Sequence, residues 1–216
     1  MSVSEDQGVQ PRAAAAATSG IADPAPLGLA AFALTTFLLS AKNANWMSHS
    51  STLAFLGYSF AYGGLCQLLA GMWEFRNRNV FGATAFSSYG AFWIGLGLWV
   101  QLVGGGLLAA KDYAAFNHDL GWILLAFLIF NTYMLLMSAQ VNLAVFAVFL
   151  TLELTELFGA IANFSAGAAA TPTGFIQFSG YVGIITAVVA WYTSAAGLAN
   201  GIGGVIRLPV GKPLLA

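Results

Sequence analysis

From Thr52 to Trp73 the chain runs without one charged side chain, and similar stretches follow it nearly to its end. Such a run constrains the fold more than any motif here, because a bilayer core about 30 Å thick needs roughly 20 mostly apolar helical residues to cross it. Of the 216 residues, 59% are hydrophobic and 7% are charged, where an ordinary soluble domain carries roughly 25% charged residues. So few charges cannot cover a soluble surface. The expected class is therefore all-α, a polytopic membrane protein. The net charge of −1 excludes a basic nucleic-acid binder. Cys66 has no second cysteine for a disulfide or a metal cluster and reads as a small core side chain.

Cutting the uncharged stretches at polar or glycine-rich breaks gives six expected spans. They are Pro24 to Ala41, Thr52 to Trp73, a third within Val80 to Ala110, Leu120 to Met137, Leu143 to Ala162, and Phe175 to about Asn200. The third stretch is longer than one crossing requires, so a re-entrant or interfacial start before Ser87 and a frayed end at Gly104-Gly105-Gly106 are expected. Lys111 to Asp119 and Asn163 to Gly174 read as loops. Residues 1–22 carry Glu5 and Asp6 where a signal peptide would be basic, so they read as a flexible cytoplasmic tail. Residues 23–200 then form the transport domain, and residues 201–216 form a second cytoplasmic tail.

Charge orients this bundle. Six spans put Arg12, Arg76, Arg78, Arg207 and Lys212 on one side and only Lys42 and Lys111 on the other. The positive-inside rule then places both termini in the cytoplasm of a cell-membrane, multi-pass protein. Trp46, Trp73 and Trp122 fall near span ends, where an indole prefers the headgroup level. Small residues carry helix packing in lipid, and Gly63-Gly64, Gly71, Gly95, Gly97 and the Gly197 and Gly201 pair are the candidates.

No HExxH, CxxC, GxSxG or P-loop pattern occurs, so no enzyme, metal site or cofactor is expected. His49 and His118 fall in expected loops, and Asn163-Phe164-Ser165 is a chance sequon. What remains is a set of neutral polar groups inside apolar spans: Thr35, Thr36, Tyr58, Tyr62, Gln67, Ser87, Ser88, Tyr89, Trp93, Asn131, Thr132 and Tyr133. Each alone suits a helix–helix hydrogen bond. Together they offer a lining that replaces part of a small solute's hydration without trapping it. With no arginine inside a span, that solute is a small neutral or weakly anionic one and not a tightly held dianion.

Two blocks then resemble a known family. Asp23-Pro24-Ala25-Pro26-Leu27-Gly28-Leu29 followed by Phe32 resembles the NPAPLGL signature of the acetate uptake transporter family, the acetate and succinate permeases. The run Tyr62-Gly63-Gly64, Gln67, Ala70-Gly71, Glu74-Phe75, Asn79, Phe81-Gly82, Thr84-Ala85-Phe86, Ser88-Tyr89-Gly90 and Phe92-Trp93 resembles its second conserved stretch. The resemblance implies a homohexamer with one pore per protomer and a hydrophobic constriction at Phe32, Tyr89 and Leu152. It implies acetate and similar short monocarboxylates as substrates, succinate among the acids the family carries, by proton symport or as an anion channel. The substrate pathway is expected along Pro24, Pro26, Leu27, Gly28, Thr35, Thr36, Gln67, Ser88 and Trp93. Prolines suit a helix start, whose free N–H groups attract a carboxylate. Two other readings stand beside it: an amide or urea channel of similar six-helix hexameric architecture, and a membrane anchor or sensor without transport.

Four positions, in three places, depart from the family. Asp23 replaces its asparagine, as a brake on anion access or a helix cap. Arg78 replaces a glycine, so the turn must differ if that glycine served a positive φ. Glu153 and Glu156 lie inside span five, where a charge costs at least about 2.5 kcal/mol and commonly marks a pathway. Glu156 is four residues from Leu152 and shares its helix face. It is the expected proton-coupling group, with Glu153 as a second candidate. The structural alternative is Glu156 held between helices by Asn131.

Overall fold

The computed structural model describes residues 20–47, 54–104, 112–167 and 174–215. Arg12, His49, Lys111 and nearly all of the N-terminal tail lie outside the described residues. Within them the chain is entirely helical: α1 (Ala25–Asn43), α2 (Phe55–Phe60), a π-helical segment (Ala61–Cys66), α3 (Gln67–Arg76), α4 (Val80–Gly104), α5 (Tyr113–Ser138), α6 (Leu143–Ser165) and α7 (Phe175–Ile202). Among the described residues, α1, α4, α5, α6 and α7 are each long and apolar enough to cross a membrane. Their outer faces carry exposed apolar side chains such as Ile129, Leu136 and Ile185, and burying such faces in lipid is what a multi-pass membrane protein requires. The π-helical segment continues the backbone of α2 directly into α3.

Local chemistry sets the helix ends. Asp112 accepts from the N–H groups of Ala114 and Ala115 at 3.0 and 3.2 Å, which starts α5. The side chain of Asn142 does the same for Val145 at 2.9 Å and starts α6. Gly203, at φ 75°, ends α7 in the left-handed conformation.

Four expectations require correction. α4 is one unbroken helix from Val80, with no re-entrant start before Ser87. Asn79 caps the Gly82 N–H at 3.1 Å, and Phe81 packs edge-on against Phe149 at 5.3 Å, so the first turn is anchored. The stretch from 113 to 119 is the first two turns of α5, not a loop. His118 therefore sits on a helix, where it accepts from the Trp122 indole at 3.3 Å, and Trp122 lies well inside α5. α6 likewise runs on to Ser165. The turn at Arg78 keeps the positive φ, at 61°. Backbone bonds from Arg78 N–H to Phe75 and from Asn79 N–H to Glu74 hold it, so the arginine adopts a glycine-like conformation.

Packing runs in a ring. α1 lies between α7 and the π-helical segment with α3; α7 continues to α6, α6 to α5, and α3 to α4. α4 and α5 meet least, across a groove of about 300 Å³ lined by Ser88, Ala91, Ala126, Phe127 and Phe130. Glycines permit the close crossings. A Cβ on Gly90 would lie 2.6 Å from the Leu68 backbone, and one on Gly63 would run into the Thr35 side chain. Gly95 and Gly201 pack against nothing within the protomer.

The C-terminal residues are not a free tail. Beyond α7 the chain turns back as a strap. Asn200 exchanges two bonds with the Leu208 backbone, Tyr192 donates to Pro209 O at 2.6 Å, and Ala144 N–H donates to Val210 O at 2.9 Å. Leu214 and Leu215 then donate to Ala139 O, closing the strap over the α5–α6 turn.

Candidate functional site

Phe32 from α1, Tyr89 from α4 and Leu152 from α6 are buried in one apolar cluster at the centre of the ring. The Tyr89 ring is the hub. Phe32 meets it edge-on at 5.7 Å, as do Phe130 at 5.4 Å and Phe92 at 6.3 Å, while Phe127 and Phe149 lie tilted at 5.8 and 6.4 Å. Edge-to-face aromatic contacts of this kind hold a ring in one orientation, which aims the Tyr89 hydroxyl at α5 and α6.

That hydroxyl opens a polar chain through the apolar cluster. Tyr89 Oη lies 2.9 Å from Asn131 Oδ1 and 3.4 Å from Glu156 Oε1. Asn131, fully buried on α5, donates from Nδ2 to Phe149 O at 3.0 Å and to Glu153 Oε2 at 2.6 Å. Glu153 Oε1 in turn meets Thr132 Oγ1 at 2.7 Å on the outer face. Glu156 is 5% exposed and its Oε2 has no partner. The two acids thus occupy opposite ends of one network. The alternative Glu156–Asn131 bond is not made: Asn131 holds Glu153, while Glu156 meets the tyrosine, because three residues of helix rotate the two carboxyls to different flanks.

The other expected pathway residues are spread along the bundle. Thr35, Thr36, Gln67 and Trp93 are buried, and the Thr36 hydroxyl, the Gln67 carbonyl and the Trp93 indole N–H have no hydrogen-bond partner. Unpaired polar atoms are rare in a packed interior, so these three stand out among the buried polar groups. Pro24, Pro26 and Gly28 form the α1 start, with Pro26 O accepting from Ser194 at 2.6 Å and Gly28 against the Phe86 ring. Asp23 Oδ1 accepts the Ala25 N–H at 3.0 Å, so it caps the helix and uses a donor expected to attract an anion. Leu27 is 45% exposed, whereas Ser88 lines the α4–α5 groove together with Phe127 and Phe130 of the Tyr89 cluster. Tyr58, Thr132 and Tyr133 also face outward.

Sequence reasoning missed two features. Asn131 was read as an alternative partner of Glu156, but not as the residue that joins Glu153 to the Tyr89 hydroxyl. Glu74 read as a span-closing charge, yet it is fully buried, with Asn77 donating to it at 3.1 Å. Its membership of the second conserved-looking run was the available hint.

The model of the GPR1/FUN34/yaaH family matches residues 6–212. Acetate permease A of Emericella nidulans is 41% identical over 199 residues, 88% of this chain and 65% of that protein. The succinate-acetate/proton symporter SatP of Escherichia coli is 35% identical over 196 residues, 89% of this chain and 96% of that protein. The chain thus spans the bacterial relative almost completely but about two thirds of the fungal one. The solved structure of the bacterial acetate channel SatP matches with a TM-score of 0.78 and 32% identity, covering 88% of this chain and 99% of that one. The chain belongs to the GPR1/FUN34/yaaH family.

Proposed function

We propose that this protein carries acetate and similar short monocarboxylates across the cell membrane, through a pore narrowed at Phe32, Tyr89 and Leu152, with a proton exchanged at Glu156. The observation that carries the reading is the meeting, at one level of the bundle, of an apolar ring with a buried carboxyl against its tyrosine. An apolar ring makes a solute shed water before it passes. Acetate, with one methyl and one carboxylate, bears that cost better than larger or more strongly hydrated ions. Thr36, Gln67 and Trp93 return part of the lost hydration from α1, α3 and α4. The names of the Emericella and Escherichia relatives support the substrate class, and transport without catalysis follows from the same reading.

The continuous helix formed by α2, the π-helical segment and α3 makes the sixth crossing. Six crossings put Arg76, Arg78, Arg207 and Lys212 on one side, so both termini face the cytoplasm. Residues 1–22 precede a transport domain over 23–200, and residues 201–216 form the cytoplasmic C-terminal tail. Six copies form the working assembly, each with its own pore.

The test is uptake of labelled acetate into proteoliposomes with and without an imposed pH gradient. Uptake that rises with an inward proton gradient supports symport; uptake indifferent to the gradient leaves an anion channel. Competition by acetamide or urea in place of propionate would favour the amide-channel reading. Absence of flux altogether would favour an anchor or sensor.

A further inference from the structure

The hydrogen-bond chain around Tyr89 contains a proton count that the reading above leaves unused. Phe149 O can only accept, so the Asn131 atom 3.0 Å from it is the NH2 group, and the amide cannot be flipped. Its second N–H goes to Glu153. Asn131 Oδ1 therefore faces Tyr89, and as an acceptor it takes the tyrosine's single hydroxyl proton at 2.9 Å. With that proton committed, the phenolic oxygen can only accept from Glu156, and the 3.4 Å contact is a hydrogen bond only while Glu156 carries a proton. Once Glu156 is ionised, two lone pairs face each other unless the hydroxyl turns. A bond to a charged acceptor is the stronger one, so the hydroxyl swings to Glu156 and leaves Asn131 Oδ1 bare.

We propose that Asn131 is a positioning residue that sets the resting direction of the Tyr89 hydroxyl, and that proton gain or loss at Glu156 switches this hydroxyl between α5 and α6. The inference rests on the reading of Tyr89 as part of the constriction and of Glu156 as the exchanging acid. Its consequence is that the polar edge of the narrowest ring is rewritten each time a proton binds. Substrate at the ring meets a hydroxyl oxygen saturated by two neighbours in one state and a hydroxyl tied to a carboxylate in the other.

The surroundings leave little else to drive the switch. The titratable groups around the pair are Glu153 on the same helix, already held by Asn131 and Thr132, and Tyr133 on α5. From α1 and α7 the cluster receives Leu29, Phe32, Ala33 and Ala190, which carry no charge. Glu153 cannot substitute for Glu156, because Asn131 stands between it and the tyrosine and an amide does not pass a proton along.

The experiment is infrared titration of the full chain in liposomes, following the carboxylic-acid band that disappears in Glu156→Gln. Asn131→Leu frees the hydroxyl for the carboxylate, so the band should be half lost about one pH unit lower than in the unaltered protein. Tyr89→Phe removes the hydroxyl and should move half-loss about one pH unit higher. The two changes together should match Tyr89→Phe alone, because Asn131 acts only through the hydroxyl. A shift from Asn131→Leu that persists in the Tyr89→Phe background overturns the proposal, since it would come through Glu153. Should Asn131→Leu fail to fold, an unmoved band in Tyr89→Phe overturns it equally. Acetate uptake measured on the same liposomes separates the two ideas: shifts as expected without uptake sink the transport reading alone, and uptake with no shifts sinks the switch alone.

Discussion

Arg78 holds a φ of 61° between α3 and α4, a conformation that costs an L side chain about 1–2 kcal/mol. Arg78→Gly should therefore stabilise the protein by about 1 kcal/mol, read as a higher unfolding temperature in detergent. Residue by residue, the central cluster was legible because Phe32 and Tyr89 sit inside recognisable blocks of sequence. The asparagine behind them was not, since nothing local says which of many membrane amides will face two acids from a neighbouring helix. Glu153 stood as a second candidate beside Glu156; in the structure Asn131 and Thr132 hold it, while Glu156 meets the tyrosine. At the ring itself, Phe32→Ala removes the side chain stacked edge-on against Tyr89, 5.7 Å away. That variant should admit propionate and butyrate at rates closer to that of acetate, measured by competition in proteoliposomes.

At the level of helices, close crossings depend on which glycines meet backbone. Gly90→Ala forces a methyl against the Leu68 backbone, 2.6 Å away, which cannot yield as a flexible side chain would. A loss of about 1–3 kcal/mol is expected, as for other overpacked sites. Gly95→Ala, with nothing within 4 Å, should leave stability unchanged or raise it by up to about 1 kcal/mol through helix propensity. A pair of thermal melts distinguishes the two. Both glycines look alike in sequence, because the period of one helix does not reveal the partner's height. The π-helical segment was hidden for the same reason: it lies where Thr35 seats against Gly63, a contact made between elements. Long uncharged runs, by contrast, announce their helices directly. The start of α4 was misjudged only because Asn79 and Phe81 anchor a turn that hydropathy cannot see.

Across the whole molecule, the buried carboxyls among the described residues are Glu74 and Glu156, and one asparagine links Glu156's tyrosine to Glu153. The strap from 205 to 215 is the other feature that belongs to this scale, since it joins α7 to the α5–α6 turn. Deleting residues 205–215 exposes Ala144 N–H and Ala139 O and removes the Tyr192–Pro209 bond, so a destabilisation of about 1–3 kcal/mol is expected in thermal unfolding. Position along the chain then imposes an order on assembly. The corner between Ala139 and Val145 is synthesised well before α7, yet its last backbone partners arrive from beyond α7. That corner stays unlatched while α7 is still being threaded into the bilayer, and the α5–α6 hairpin is locked only after the final helix is in place.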